Sequence, residues 1–221
     1  MYSIHSKPAP QLALRSGVLS FIPMRNMLFI IILFLSCRLS AQRYNYQWIF
    51  GYDNYAENSF GLSMLDFNDG EVTCEYYGGI NDVNISFAGS FINSSSGSLQ
   101  LFTDNCELFD NNFNIVEGSK TLNPGYVNDN YCDHPQYATD YPSGQAAVLL
   151  PEINNDSIVF LLHKNLIIDF DVEEYYSSTL YLSTIIQKTD GSFELVNKEF
   201  LLEWRFITRR LTACRHANGD Y

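Results

Sequence analysis

The segment Thr179-Leu-Tyr-Leu-Ser-Thr-Ile-Ile-Gln-Lys-Thr-Asp-Gly-Ser-Phe-Glu-Leu-Val196 predicts a β-hairpin. Its two arms, Thr179–Gln187 and Phe193–Val196, are rich in aliphatic, aromatic and β-branched residues, which favour strands. Between them, Thr189-Asp-Gly-Ser192 supplies an Asp-Gly pair, and such a pair tolerates the positive φ angles of a tight hairpin turn. The segment therefore predicts two antiparallel strands.

Three further strand–turn–strand units repeat this pattern along the chain. The first pairs Asn84–Ile92 with Leu99–Thr103 and adds a short third strand, Glu107–Phe109. The second pairs Ala146–Ile153 with Ile158–His163 across the turn Asn154–Ser157. The third is Leu211–His216, which leads into the turn residues Asn218-Gly219. Successive hairpins predict an all-β fold of antiparallel hairpins. The turns are spaced too unevenly for a strict repeat, but the spacing is compatible with propeller blades that carry insertions such as residues 113–145. The strands suffice for about two to three blades, and closure needs at least four, so an incomplete β-propeller-like array is expected. A small β-sandwich is the alternative.

Composition and charge narrow the class of protein. The chain has 221 residues, of which 46% are hydrophobic and 17% are charged, so a folded domain is expected rather than a disordered chain. Its formal net charge is −12. An acidic surface repels phosphate backbones, so nucleic acid is not an expected partner.

The N-terminal region predicts export. Met27–Ser36 is an uninterrupted apolar run, preceded by Arg25 and followed by Leu39-Ser-Ala41, which is the pattern of a secretory signal peptide cleaved before Gln42. The run is too short for a good membrane anchor, which needs roughly 20 apolar residues. An uncleaved N-terminal membrane helix is the alternative, and lipid attachment at Cys37 is a weaker one.

These features divide the chain into three parts. Residues 1–23 are expected to be an extension ahead of the true start, residues 24–41 the signal peptide, and residues 42–221 the β-domain. Removal of residues 1–41 takes away four basic residues and no acidic ones, leaving a formal charge of −16. The predicted location is therefore secreted or at the cell surface, with no membrane span after cleavage.

Cysteines in the exported part predict disulfides. Without Cys37, four remain, and an even number in an exported chain favours two bridges. Cys106 and Cys132 flank most of the insertion, so a bridge between them would close that loop. Cys74 with Cys214 then follows by elimination. Zinc is the alternative, but the chain contains no Cys-x-x-Cys pair.

Other chemistry-bearing residues give weak signals. Asp169, Asp171 and Glu173 alternate, so on a strand they would share one face, and with Glu174 they form an oxygen-rich candidate for calcium. A solvated acidic edge that prevents aggregation is the simpler interpretation. His163 lies in an apolar strand and is expected to be a hydrogen-bonded core residue. No other cofactor is expected.

Several short motifs resemble the N-terminal WD40-like β-propeller region of secreted Bacteroidetes proteins. They are Trp48–Gly51, Leu65–Phe67, Leu101–Cys106, Tyr141–Gln145 and Leu211–Tyr221. In that family a signal peptide and propeller blades precede a C-terminal sorting domain for type IX secretion. That sorting domain is absent here, and the chain stops at Tyr221 inside a predicted turn, so the resemblance implies a C-terminally truncated domain. It transfers no catalytic residues.

The expected function is accordingly non-enzymatic. The leading hypothesis is an exported β-propeller scaffold for cell-surface adhesion or for binding an as yet unknown protein or glycan, with the secretion machinery as a further partner. One alternative is a propeller glycoside hydrolase that uses carboxylates among residues 169–174. The other is a small structural β-sandwich.

Overall fold

The computed structural model describes residues 46–51, 61–78, 83, 85, 89–132, 141–153, 155–207 and 210–213. All of them belong to the second of the two units into which the chain divides, residues 42–221. Antiparallel strands dominate this part of the chain, which confirms the predicted all-β class. No helix among the described residues is long and apolar enough to cross a membrane.

The described residues contain eleven strands and one π-helical segment, Asn128–Cys132. The strands are β1 Gln47–Phe50, β2 Gly61–Asp66, β3 Thr73–Gly78, β4 Ser90–Asn93, β5 Leu99–Thr103, β6 Leu108–Asp110, β7 Ala147–Glu152, β8 Asn155–Lys164, β9 Ile167–Asp169, β10 Glu174–Gln187 and β11 Phe193–Ile207. They form three antiparallel sheets, in the orders β1-β2-β3, β4-β5-β6 and β11-β10-β8-β7, with β9 also paired to β10.

The predicted turns explain two of the hairpins directly. In the β10–β11 hairpin the Lys188 amide donates to the Ser192 carbonyl at 2.7 Å, and Gly191 has φ 90°. In the β4–β5 hairpin the Ser94 amide donates to the Ser98 carbonyl at 2.8 Å, and Gly97 has φ 96°. Glycine lacks the Cβ that penalises these angles, so the turn residues fix where each hairpin reverses.

Two predicted strand boundaries are wrong. β4 begins at Ser90 rather than Asn84, because Ile85 is used elsewhere: its carbonyl accepts from the Gly51 amide and its side chain lies in the core. β8 begins at Asn155, inside the predicted turn Asn154–Ser157, because Glu152 of β7 already pairs with Asn155. The connection between β7 and β8 is therefore shorter than the four-residue polar turn that the sequence predicted.

The last hairpin differs most from expectation. β11 continues to Ile207, well past the predicted end at Val196, and pairs with β10 through three register shifts. At each shift β11 carries an extra residue, which bends and twists the hairpin. A strand was predicted over Leu211–His216, but Leu211–Ala213 is not a strand, and the rest of that segment lies outside the described residues.

The β4-β5-β6 sheet packs against both of the other sheets, one on each face. Ile92, Leu101 and Leu108 of the β4-β5-β6 sheet pack with the inward side chains of β7, β8 and β10, and its Phe102 and Phe109 pack with β1 and β2. The β4-β5-β6 sheet is therefore covered on both faces. Face-to-face sheets of this kind fit a propeller-like array and also a sandwich.

Candidate functional site

A disulfide joins Cys106 to Cys132, as predicted, with the two Cα atoms 5.6 Å apart. Cys106 and Cys132 also pack in a small core with Val127 and Tyr141. The bridge therefore attaches the loop that follows β6 to the body of the fold. Cys74 is an exposed free cysteine on β3. Its predicted partner, Cys214, lies outside the described residues, so that pairing stays a prediction.

The loop closed by this disulfide contributes to a buried polar network around His163. The His163 ring bonds through Nδ1 to Asn123 Oδ1 at 2.8 Å and through Nε2 to Ser183 Oγ at 2.9 Å. Asn123 Nδ2 donates to the Asn105 carbonyl at 3.1 Å, which leaves Oδ1 as the acceptor toward the imidazole. Nδ1 therefore carries the proton, and Ser183 donates its hydroxyl hydrogen to Nε2.

This Ser–His–Asn order of donors and acceptors is also that of a catalytic triad. All three side chains are buried, however, and Ser183 has no exposed surface from which its hydroxyl oxygen could meet a substrate. Burial, with a smaller contribution from the nearby positive charge of Lys198, lowers the pKa of His163 to about 3. A neutral histidine with both nitrogens bonded is the core residue that the sequence predicted.

The acidic candidates do not share a strand face. Asp169 ends β9, whereas Asp171 and Glu173 lie in the turn that reverses the chain into β10, and Glu173 has φ 54°. The shared face that these residues would have on a strand is therefore not formed, because Asp169 pairs across the turn with Glu174. Glu174 in turn forms an ion pair with Arg205 at 2.5 Å.

Calcium at this turn stays an untested prediction. Among the described residues, no three His, Cys, Asp or Glu side chains are grouped so that they could hold a metal ion. Asp169 Oδ1 accepts the Asp171 amide at 3.2 Å, an ordinary stabilising contact within a turn. The same carboxylates were the candidates for glycoside hydrolysis, and that alternative also stays untested.

The sheet formed by β7, β8, β10 and β11 has two apolar faces. Alternate residues of its strands, including Leu149, Leu161 and Ile185, point into the core and are buried. The residues between them are also apolar but only half-buried; we call them the outer face. They are Val148, Leu150, Ile158, Phe160, Leu162, Leu180, Leu182 and Ile186. Leu182 pairs with Leu162, which pairs with Val148, so the face is continuous across three strands.

The outer face continues onto β11 at Leu202. Other apolar side chains of this strand are exposed as well, although Phe200 pairs with Tyr181 and so lies on the opposite face. Leu180 pairs with Leu202, which places Leu202 on the same face. Phe200, Leu201, Leu202 and Trp204, which we call the β11 segment, are all exposed, with Phe200 at 58% and Trp204 at 71%. Among the described strands, β11 lies at one end of its sheet and pairs only with β10.

A separate cavity of about 610 Å³ lies beside the start of β7. Its lining is formed by Pro142, Ser143, Gly144, Gln145 and Arg210. The Arg210 amide donates to the Gly144 carbonyl at 3.3 Å, and the Leu211 amide donates to the Gln145 carbonyl at 2.9 Å. These two bonds hold the sides of the cavity together.

One feature of the sequence, which the prediction of hairpins did not use, indicates that the sheet of β7, β8, β10 and β11 has a second apolar face. Ile158–Leu162 is a continuous apolar run, and such runs are typical of strands covered on both faces. The β11 segment was missed because its apolar residues alternate irregularly with charged ones, as the bulges require. Nothing local to Arg210 marks it as lining a cavity with residues more than sixty positions earlier.

Comparison with known proteins adds no assignment. No protein-family model, curated protein or solved structure matches this chain.

Proposed function

We propose that this chain is an exported, non-enzymatic binding module that holds a protein partner at the cell surface through its outer face and the β11 segment. The observation that carries the proposal is the second apolar face of the β7–β11 sheet. Its side chains are half-buried, whereas those of the opposite face are buried in the core. Extended apolar surfaces of this kind mark sites of protein association.

The neighbouring sheet supports this interpretation. The β4-β5-β6 sheet also has two apolar faces, and both are covered by the sheets on either side of it. The β7–β11 sheet has the same two-sided composition, but only one of its faces is buried. The occupant best suited to the outer face is therefore another β-sheet, supplied by a protein partner.

The β11 segment supplies the residues expected to dominate affinity. Trp and Phe are enriched among the side chains that contribute most to protein interfaces, and Trp204 and Phe200 are well exposed. The Glu117 carbonyl accepts the Leu195 amide at the start of the outer edge of β11, and bulges interrupt the strand further along. Both features disfavour long strand-to-strand addition and favour contact through side chains. The disulfide supports export, because such bridges persist in oxidising compartments.

The test compares retention at the cell surface. A Phe200→Ser/Trp204→Ser variant removes both aromatic anchors. Val72→Ser/Tyr76→Ser removes two similarly exposed side chains, one on β3 and one just before it. The fraction of protein that stays with washed cells is measured for each variant and for wild type. We expect the β11 variant to be released into the medium, with affinity for the surface reduced about 30-fold or more, and the control to be retained.

Three results would overturn the proposal. Equal retention of the β11 variant and wild type would remove the β11 segment from the binding surface. Equal release of both variants would make retention unspecific. A wild-type chain that stays inside the cell would contradict export itself. A thermal melt of each purified variant confirms that the substitutions leave the fold intact.

A further inference from the structure

We infer that the cavity beside β7 binds a small molecule carrying a single carboxylate, which it recognises through Arg210. This site is separate from the proposed docking surface and does not depend on it. The cavity volume of about 610 Å³ falls within the range of roughly 300–1,000 Å³ that is typical of small-molecule sites.

The rim of the cavity is held in place before any ligand arrives. Tyr141 and Ala146, on either side of the turn 142–145, are fully buried and belong to the core beneath the disulfide. On the opposite side, residues 210 and 211 are tied to Gly144 and Gln145 by two backbone hydrogen bonds. A rim fixed in this way loses little conformational freedom on binding, which favours affinity for a small ligand.

Two of the lining residues have unusual backbone angles. Gln145 has φ 50° and Arg210 has φ 54°, and neither is a glycine. Left-handed angles are uncommon for such residues and persist where the surrounding structure maintains them, often beside binding sites. Both residues are exposed and line the same cavity.

Arg210 differs from the neighbouring cations in its pairing. Arg205 is neutralised by Glu174, and Lys188 by Glu117 at 2.6 Å. Among the described residues, no carboxylate lies within salt-bridge distance of the Arg210 guanidinium. An exposed guanidinium that has no carboxylate partner within the described part of the chain is suited to two parallel hydrogen bonds with a ligand carboxylate, and the Gln145 amide adds a further donor.

The charge of the chain selects the class of anion. The described residues of the cavity lining include one cation, Arg210, whereas the whole chain carries a formal charge of −12. Arg210 balances one negative charge, and a second charge on the ligand is repelled by the acidic surface. A monocarboxylate is therefore favoured over phosphate, which carries more than one negative charge at neutral pH.

The test is an NMR titration of the purified protein, with the Gly144 and Gln145 amide signals as reporters. The probes are N-acetylglycine, a monocarboxylate, its neutral amide N-acetylglycinamide, and inorganic phosphate. We expect a saturable shift with N-acetylglycine in the millimolar range and none with the neutral amide. Arg210→Gln should weaken binding about tenfold or more, and Arg210→Lys should weaken it less, because lysine keeps the charge but not the paired hydrogen bonds.

Arg205→Gln is the matched control, because it removes an arginine that lies outside the cavity, and it should bind N-acetylglycine like wild type. The inference fails if wild type shows no saturable shift, if the neutral amide shifts the same signals equally, or if Arg210→Gln binds unchanged. Tighter binding of phosphate than of N-acetylglycine would overturn the monocarboxylate class. Since the first two comparisons use only wild-type protein, they hold even if a variant is poorly folded.

Discussion

Removal of the Cys106–Cys132 bridge should cost a calculable part of the stability. The two cysteines are 26 residues apart, and closing a loop of that length lowers the entropy of the unfolded chain by an amount worth about 3.5 kcal/mol at 25 °C. The loop also contains Asn123, which bonds to His163 and to the Asn105 carbonyl. A Cys106→Ala/Cys132→Ala variant should therefore lose global stability and also loosen the loop locally.

Equilibrium unfolding in urea measures the global effect, with the midpoint and slope fitted together. Hydrogen exchange measures the local effect, and we expect faster exchange of loop amides near Asn123 than of amides in β10. Cys74→Ala is the control: Cys74 is exposed and free in this structure, so its removal should change the free energy of unfolding by less than about 0.5 kcal/mol, and a larger loss would indicate the predicted bridge to Cys214. A loss below about 1 kcal/mol for the double variant, or an equal loss for the control, would refute the reasoning.

Three further predictions concern the core and the sheet faces. Leu161→Ala should lower the free energy of unfolding by about 3 kcal/mol, because Leu161 is fully buried. Leu162→Ala, on the outer face, should lower it by about 1 kcal/mol. Equal losses in urea unfolding would mean that the outer face is packed within the chain. His163 stays neutral in the folded state down to a pKa of about 3, whereas in the unfolded state it takes up a proton below about pH 6.5. The free energy of unfolding should therefore decrease by about 1.4 kcal/mol for each unit by which the pH is lowered between these values. His163→Asn should remove that part of the pH dependence when unfolding is measured from pH 7 to pH 4. Gly61→Ala should destabilise the fold by about 2 kcal/mol or more, because the added Cβ would overlap the Tyr77 carbonyl oxygen; a thermal melt within 2 °C of wild type would contradict this, since such a loss is worth several degrees.

Local signals in the sequence predicted the hairpins well. The Asp190-Gly191 pair and Gly97 mark turns where the structure has positive φ angles, and the flanking apolar runs form β4, β5, β10 and β11. These features were predictable because a tight turn is determined by the few residues within it. The Cys106–Cys132 bridge was predictable for a similar reason, since the two cysteines flank one loop.

Features that depend on distant residues were not predictable. His163 was expected in the core, but its partners Asn123 and Ser183 are 40 and 20 residues away, and no local pattern identifies them. The extension of β11 depends on pairing with β10 through bulges, which disrupt the alternation that a strand normally shows. Asp169, Asp171 and Glu173 are spaced as on one strand face, yet pairing between β9 and β10 leaves Asp169 at the end of β9 and places Asp171 and Glu173 in the turn.

The most direct test of the proposed docking surface is photocrosslinking from a single position on it. Trp204→p-benzoylphenylalanine places the reactive group in the β11 segment, and Tyr76→p-benzoylphenylalanine places it on an equally accessible strand of another sheet. Cells producing each variant are irradiated, and adducts are identified by mass spectrometry. The proposal predicts one recurrent protein adduct from position 204, joined through the same partner peptide in every repeat, and no such adduct from position 76. The same adducts from both positions, or none from position 204, would contradict it.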